Sequence, residues 1–202
     1  MKELIINSSL SLIQKNYPEY SKEKMEEIEY GLTGLYLTVS KTIIIFLIAF
    51  VLGILKELII FTIIYNIVRA PSFGLHATKS WICLVSSTLI FISVPYLCMI
   101  LTISIWLKIL IGIICTVLMF KNSPADTEKR PIVNPKRRRI YKYLSTFITL
   151  IFVILSVLIN YNFLSNCFIF SLIIQNFMVS PLIYKLFNLP YNNYKKHSYS
   201  EL

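Results

Sequence analysis

Charged residues are scarce in this sequence. Only 15% of the 202 residues are charged, against about 25% in an ordinary soluble domain, while 56% are hydrophobic. So few charged groups cannot cover the surface of a soluble globule of this size. The scarcity excludes a soluble α/β enzyme, and the apolar excess excludes a disordered chain. We expect an all-α polytopic membrane protein.

Metal-binding and nucleotide-binding patterns are missing as well. The four cysteines are widely spaced, without a CxxC pair or clustered histidines, so neither a zinc site nor a disulfide framework is expected. The chain has no GxxxxGK[ST], HExxH or GxSxG motif, which removes support for nucleotide, zinc-protease and serine-hydrolase functions. No cofactor is expected. We interpret Cys98, Cys115 and Cys167 as small apolar fillers of membrane helices.

The apolar residues predict about six membrane segments and an N-terminal amphipathic helix. The amphipathic pattern covers residues 21–39 and is typical of a helix on the membrane surface, although a cytosolic helix packed on a partner would show it too. The expected segments are 35–55, 58–68, two within 81–120 joined by a turn near Thr102, 143–159, and 163–182. The run 58–68 is too short to cross a core of about 30 Å, so it is either a half-span or a span completed by the polar residues that follow.

Positive charge is concentrated after the fourth segment. Basic residues number 20 and acidic residues 10, and eight of the basic ones lie between Lys121 and Lys142. The positive-inside rule places this basic loop, residues 121–142, in the cytoplasm together with the tail, residues 185–202, and both termini. We expect one integral membrane domain, residues 1–202, that begins with an interfacial region at 1–34. Nucleic-acid binding is not expected, because the basic run lacks interleaved aromatic side chains.

A histidine and a cysteine mark the most unusual stretch, RAPSFGLHATKSWIC at residues 69–83. His76 is the only histidine outside the tail, and a histidine beside a membrane is either functional or bonded to a carbonyl at headgroup level. In an unbroken helix Cys83 would lie about 10.5 Å further along the axis, beyond hydrogen-bond reach. A contact therefore requires a loop that folds His76 over the first turn of the helix carrying Cys83. There the helix N-terminus and an imidazolium would favour the nucleophilic thiolate.

Two strings of residues resemble a known family, the accessory gene regulator B family of bacterial membrane cysteine endopeptidases that process quorum-sensing pro-peptides. The first string matches its signature and consists of Arg69, Gly74, His76, Ala77 and Cys83. The second, PADTEKRPI at residues 124–132, is similar to the family's cytoplasmic loop. The resemblance implies that Cys83 is the nucleophile and His76 the general base, with Arg69 and Gly74 supporting the site.

The resemblance also implies a reaction and its partners. The family cleaves the C-terminal part from a short amphipathic precursor peptide and holds the peptide as a thioester, which an internal cysteine then attacks to close a thiolactone or related ring. The expected partners are such a peptide with an acidic C-terminal tail, membrane lipid and a second copy of the chain in a homodimer. The expected location is the bacterial cell membrane, with the active site on the cytoplasmic side.

Three loop residues, Asp126, Lys129 and Arg130, are candidates for substrate binding. The basic side chains could attract the acidic tail of the peptide, but the positive-inside rule would produce them without any substrate. Asp126 could instead orient His76, or be no more than a solvated loop charge.

A small membrane transporter or channel without peptidase activity is the alternative hypothesis, and a scaffold or sensor is a further one. Proton relays need acidic residues in the spans, and between Glu57 and Glu201 the only acids, Asp126 and Glu128, are in the basic loop. Lys41 and Lys108 are the strongly charged candidates inside the spans, so the sequence offers transport little support.

Overall fold

The computed structural model describes residues 2–75, 80–127 and 131–195. These residues form eight helices: α1 (Lys2–Asn16), α2 (Lys22–Val51), α3 (Leu55–Ser72), α4 (Ser80–Ile100), α5 (Ile105–Asn122), α6 (Pro135–Leu158), α7 (Asn162–Val179) and α8 (Pro181–Leu186). The described ranges contain no β-strand, which confirms the predicted all-α class.

Five of the helices, α2, α4, α5, α6 and α7, are long and apolar enough to cross a membrane. The sixth segment is α3, whose 18 residues span about 27 Å and include three charged side chains, those of Lys56, Glu57 and Arg69. The chain is therefore a polytopic membrane protein, as predicted, with one segment weaker than the rest.

The helices group into two compact units, Met1–Val51 and Leu52–Leu202. In the first, α1 packs against α2, and α2 is one continuous helix that joins the amphipathic stretch to the first predicted span. That span ends at Val51, four residues before its predicted end at residue 55. In the second, α7 packs against α3, α4, α5 and α6. The expectation of one domain over residues 1–202 stays a prediction.

Helix α7 lies at the centre of the second unit and buries polar as well as apolar side chains. Cys167, Ile169 and Leu172 are fully buried on it, and so are Asn166 and Gln175. In hydrocarbon a buried amide needs partners, so these side chains are positioned to bind the ends of neighbouring helices. The Asn166 side-chain amide, for example, donates to the carbonyls of Cys98 (3.1 Å) and Leu101 (2.7 Å) at the end of α4.

Lys108 is one of the two charged residues expected inside the spans, and it is buried on α5. Its ammonium group donates to the Ser165 hydroxyl at 2.6 Å, and that hydroxyl donates to the Ser156 carbonyl. The buried cation thus joins α5 to the facing ends of α6 and α7.

The connections between the spans match the prediction at the turn between α4 and α5 and differ from it at the loop before α6. The predicted turn near Thr102 separates α4 from α5. The predicted loop at 121–142 is too long, because α6 begins at Pro135. Asn134 caps this helix by accepting the backbone N–H groups of Lys136 (2.9 Å) and Arg137 (3.2 Å). Pro135 is therefore a first-turn residue rather than a loop residue, which the fixed φ of proline favours.

The contact between α5 and α6 depends on a glycine. A Cβ atom placed on Gly112 would lie 2.5 Å from Cγ1 and 2.8 Å from Cγ2 of Val153. Only a hydrogen fits at this position, because the branched Val153 side chain of α6 packs directly against the Gly112 backbone.

Replacing Gly112 by alanine is therefore expected to lower the midpoint of thermal unfolding of the detergent-purified protein. Overpacking of this kind costs about 1–3 kcal/mol, equivalent to roughly 2–12 °C for a chain of this length. Adding Val153→Ala should restore part of the loss. The control is Gly34→Ala on α2, where nothing lies within 4 Å and the midpoint should hold or rise. An unchanged midpoint in Gly112→Ala would contradict the close contact.

Candidate functional site

The chain leaves α3 through a sharp turn just before the predicted catalytic histidine. Phe73 has a φ of 57° and Gly74 a φ of 115°. A Cβ atom on Gly74 would lie 2.8 Å from the Met178 carbonyl oxygen of α7. Position 74 therefore needs glycine for two reasons, the positive φ and the close approach of α7.

Backbone hydrogen bonds attach this turn to two distant parts of the chain. Gly74 N–H donates to the Ala125 carbonyl at 2.9 Å, and Ala125 N–H donates back to the Ser72 carbonyl at 3.1 Å. Leu75 N–H donates to the Met178 carbonyl at 2.9 Å. Residues 72–75 are thus fixed between the loop after α5 and the end of α7.

Gln175 of α7 adds a side-chain clamp on the same turn. Its amide nitrogen donates to the Ser72 hydroxyl at 2.6 Å and to the Phe73 carbonyl at 2.7 Å, and the side chain is fully buried. Gln175 is not among the residues predicted from the sequence. The available signal was a glutamine inside an apolar span, where an amide needs internal partners.

Arg69 holds the residue that precedes His76. Its guanidinium donates to the Tyr65 hydroxyl at 2.9 Å and to the Leu75 carbonyl at 3.2 Å. Both contacts are local, since Tyr65 lies one helical turn earlier on α3. These bonds give Arg69 a physical means of supporting the site, while its predicted role stays a prediction.

Cys83 lies in the first turn of α4, as the loop-and-helix hypothesis requires. Its thiol is half-buried, and the sulfur is 3.9 Å from the Ser87 hydroxyl one turn later. Helix α4 packs against α3 and α7, the two helices that shape the turn at 72–75. The predicted general base, His76, lies outside the described residues.

Asp126 is buried, so its interpretation as a solvated loop charge is wrong. One carboxylate oxygen accepts the N–H of Asn193 at 3.0 Å, and the other accepts those of Tyr194 at 2.9 Å and Ile132 at 3.4 Å. The Arg138 guanidinium, 3.7 Å from the second oxygen, also lies 3.6 Å from the centre of the Tyr194 ring. Its predicted role in substrate binding stays a prediction, and Lys129 and Arg130 lie outside the described residues.

The bonds of Asp126 to Asn193 and Tyr194 form a junction between the loop after α5 and the C-terminal tail. Two further tyrosines belong to this junction. Tyr184 donates its hydroxyl to the Asp126 carbonyl at 3.1 Å, and Tyr191 donates to the Asn122 carbonyl at 3.2 Å. Burial is the main cause that raises the pKa of both phenols; the Asp126 charge adds to the rise, while for Tyr191 the Arg138 charge acts against it. Both hydroxyls therefore stay protonated and keep donating. Neither tyrosine is predictable from the sequence, because the partners of the two hydroxyls lie 58 and 69 residues away.

Comparison with known proteins gives a consistent family match. The family model described as accessory gene regulator B matches residues 6–179. A Clostridium acetobutylicum protein named "Putative AgrB-like protein" is 30% identical over 176 residues, covering 85% of this chain and 84% of its own. A protein of the same name from Listeria monocytogenes serovar 1/2a is 31% identical over 188 residues, covering 92% and 91%. No solved structure shows a significant match.

Replacing Asp126 by asparagine is expected to loosen the tail and lower the thermal midpoint. The substitution removes the charge from several hydrogen bonds, and a charged hydrogen bond contributes about 1.5–3 kcal/mol. Differential scanning calorimetry measures the midpoint, and limited proteolysis reports cleavage within residues 187–195. Glu57→Gln removes the same charge from α3 and serves as the control. A tail that remains equally protected in Asp126→Asn would contradict the junction.

Proposed function

Because the chain belongs to the accessory gene regulator B family, we propose that it is a membrane cysteine endopeptidase with Cys83 as nucleophile and His76 as general base. Family membership itself supports a role in the accessory gene regulator system. The proposed substrate is a short amphipathic precursor peptide, from which the enzyme removes the C-terminal part and releases a thiolactone or lactone signal.

One observation carries the proposal: the two strings that resemble the family meet in space. Gly74 and Ala125 belong to different strings and are joined by a backbone hydrogen bond. The described chain reaches Leu75 in a fixed position and resumes at Ser80, three residues before Cys83. His76 lies between these two points in the sequence, and on this basis we assign it the role of general base for the Cys83 thiol.

The proposed chemistry consists of two acyl transfers. His76 takes the proton of the Cys83 thiol, the thiolate attacks the scissile carbonyl, and the departing amine of the C-terminal part receives that proton. The peptide then remains on Cys83 as a thioester. The internal cysteine of the peptide gives its proton to His76 and attacks the thioester. A new thioester closes the ring, and the Cys83 sulfur leaves and regains a proton.

The acidic tail of the precursor is proposed to bind the loop that carries Lys129 and Arg130. Asp126 supports this role indirectly, because its carboxylate accepts three backbone N–H groups and so fixes the start of that loop. Opposite charges steer such a peptide toward the site and make its association sensitive to salt. The homodimer expected from the resemblance stays a prediction.

Cys83→Ala is expected to abolish cleavage of the precursor while the protein still accumulates in membranes. The experiment co-expresses the chain with each short reading frame beside its gene that encodes an amphipathic helix, an internal cysteine or serine and an acidic tail, and follows a tagged precursor by immunoblot. His76→Ala should behave in the same way. The control is Cys115→Ala, which removes a buried thiol from α5 and should leave cleavage intact. Full cleavage by Cys83→Ala would refute the proposal.

The proposed orientation places residues 123–134 and the C-terminal tail in the cytoplasm. A green fluorescent protein fused after Leu202 should fluoresce, and alkaline phosphatase fused there should be inactive. Fusion after Ser104, in the turn between α4 and α5, should give the opposite pair of results because one span separates the turn from the loop at 123–134. Active phosphatase at the C-terminus would reverse the assignment.

A further inference from the structure

A strongly basic cavity of about 530 Å³ lies where α5 ends and α6 begins. Four cationic side chains line it, those of Lys121, Arg138, Arg139 and Lys142. Among the described residues that line it, none is acidic. The charge of Arg138 is partly neutralised, because its guanidinium lies 3.7 Å from the Asp126 carboxylate. The cavity therefore offers an excess of positive charge to a ligand.

Its position relative to the spans suggests which ligand. Lys121 lies in the last turn of α5, and the basic side chains of α6 come just before that helix becomes apolar at Tyr143. Tyr143, Tyr191 and Tyr194 also line the cavity, and tyrosines gather at the headgroup level of membranes. The cavity thus lies at the boundary between the hydrocarbon and the aqueous phase.

An exposed apolar surface continues from the cavity along the two helices. Phe120 is 44% exposed on α5, and Tyr143 and Phe147 are each 59% exposed on α6. The Lys142 ammonium is 4.1 Å from the centre of the Phe120 ring, so a cation lies directly beside this surface. A ligand with an anionic head and apolar chains would match both parts at once.

We propose that this cavity binds the phosphodiester headgroup of an anionic phospholipid, with its acyl chains against α5 and α6. Basic pockets between membrane helices are known to bind such headgroups. An acidic peptide tail would match the charge of the cavity, but it has no apolar chains to cover the exposed side chains of Phe120, Tyr143 and Phe147. The described lining comes from α5, α6, the loop between them and the tail, and none of it from α3 or α4. The lipid site is thus distinct from the turn at 72–75 and from Cys83.

Native mass spectrometry of the full chain in a neutral detergent tests the proposal. The protein is titrated with phosphatidylglycerol and, separately, with phosphatidylcholine of the same acyl chains. We expect retention of phosphatidylglycerol, and binding about tenfold weaker in Lys121→Gln/Arg139→Gln, since each basic residue contributes to attraction of an anionic lipid. Both residues are exposed and neither holds a described contact with Asp126.

Lys136→Gln/Arg137→Gln is the matched control, because it removes two positive charges from the exposed first turn of α6 without touching the cavity lining. It should bind phosphatidylglycerol as the unmodified chain does. Circular dichroism checks that each variant folds. If Lys121→Gln/Arg139→Gln does not fold, Lys142→Gln provides a second test of the cavity.

Three results would overturn the proposal. Equal losses in the two paired variants would indicate only general attraction to a basic surface. Inorganic phosphate that binds as tightly as the lipid would indicate a simple anion site. A synthetic peptide with an acidic C-terminal tail that loses affinity in Lys121→Gln/Arg139→Gln, while phosphatidylglycerol does not, would make the cavity a peptide site.

Discussion

The burial of the Asp126 carboxylate is the constraint on which the site depends. A charge removed from water destabilises the fold unless donors surround it, and this one has three backbone N–H groups and the Arg138 guanidinium. The backbone donors come from Ile132, in the loop itself, and from the tail, while the Arg138 charge comes from the start of α6. The loop after α5 is therefore fixed. Its Ala125 carbonyl, one residue before Asp126, is held where it accepts the Gly74 N–H.

A fixed loop matters because the turn at 72–75 has few bonds of its own. Ala125 binds this turn on one side, while Gln175 and Met178 of α7 bind it on the other. Arg69 adds the bond to the Leu75 carbonyl. Catalytic groups act only when held close to their productive geometry, and this network fixes the chain up to the residue before His76. The proposed nucleophile is held separately, on the first turn of α4.

The sequence predicts the spans well and the site's support poorly. Apolar runs predict membrane helices because the bilayer leaves few alternatives, and the turn near Thr102 follows from helix length alone. The sequence misplaces the start of α6, because a proline after polar residues is typical both of a loop and of a first helical turn. Asp126 could not be predicted as buried, since two of its N–H donors lie in the tail, 67 and 68 residues away. Gln175 likewise binds residues more than 100 positions away.

The central claim is that the precursor is held as a thioester on Cys83. The direct measurement is the intact mass of the enzyme after exposure to a precursor whose internal cysteine is replaced by alanine, so that ring closure cannot remove the acyl group. The expected result is an added mass equal to the N-terminal part of the precursor, released by hydroxylamine and mapped to Cys83 by peptide sequencing. Cleavage of the precursor without such an adduct, or an adduct on another residue, would contradict it.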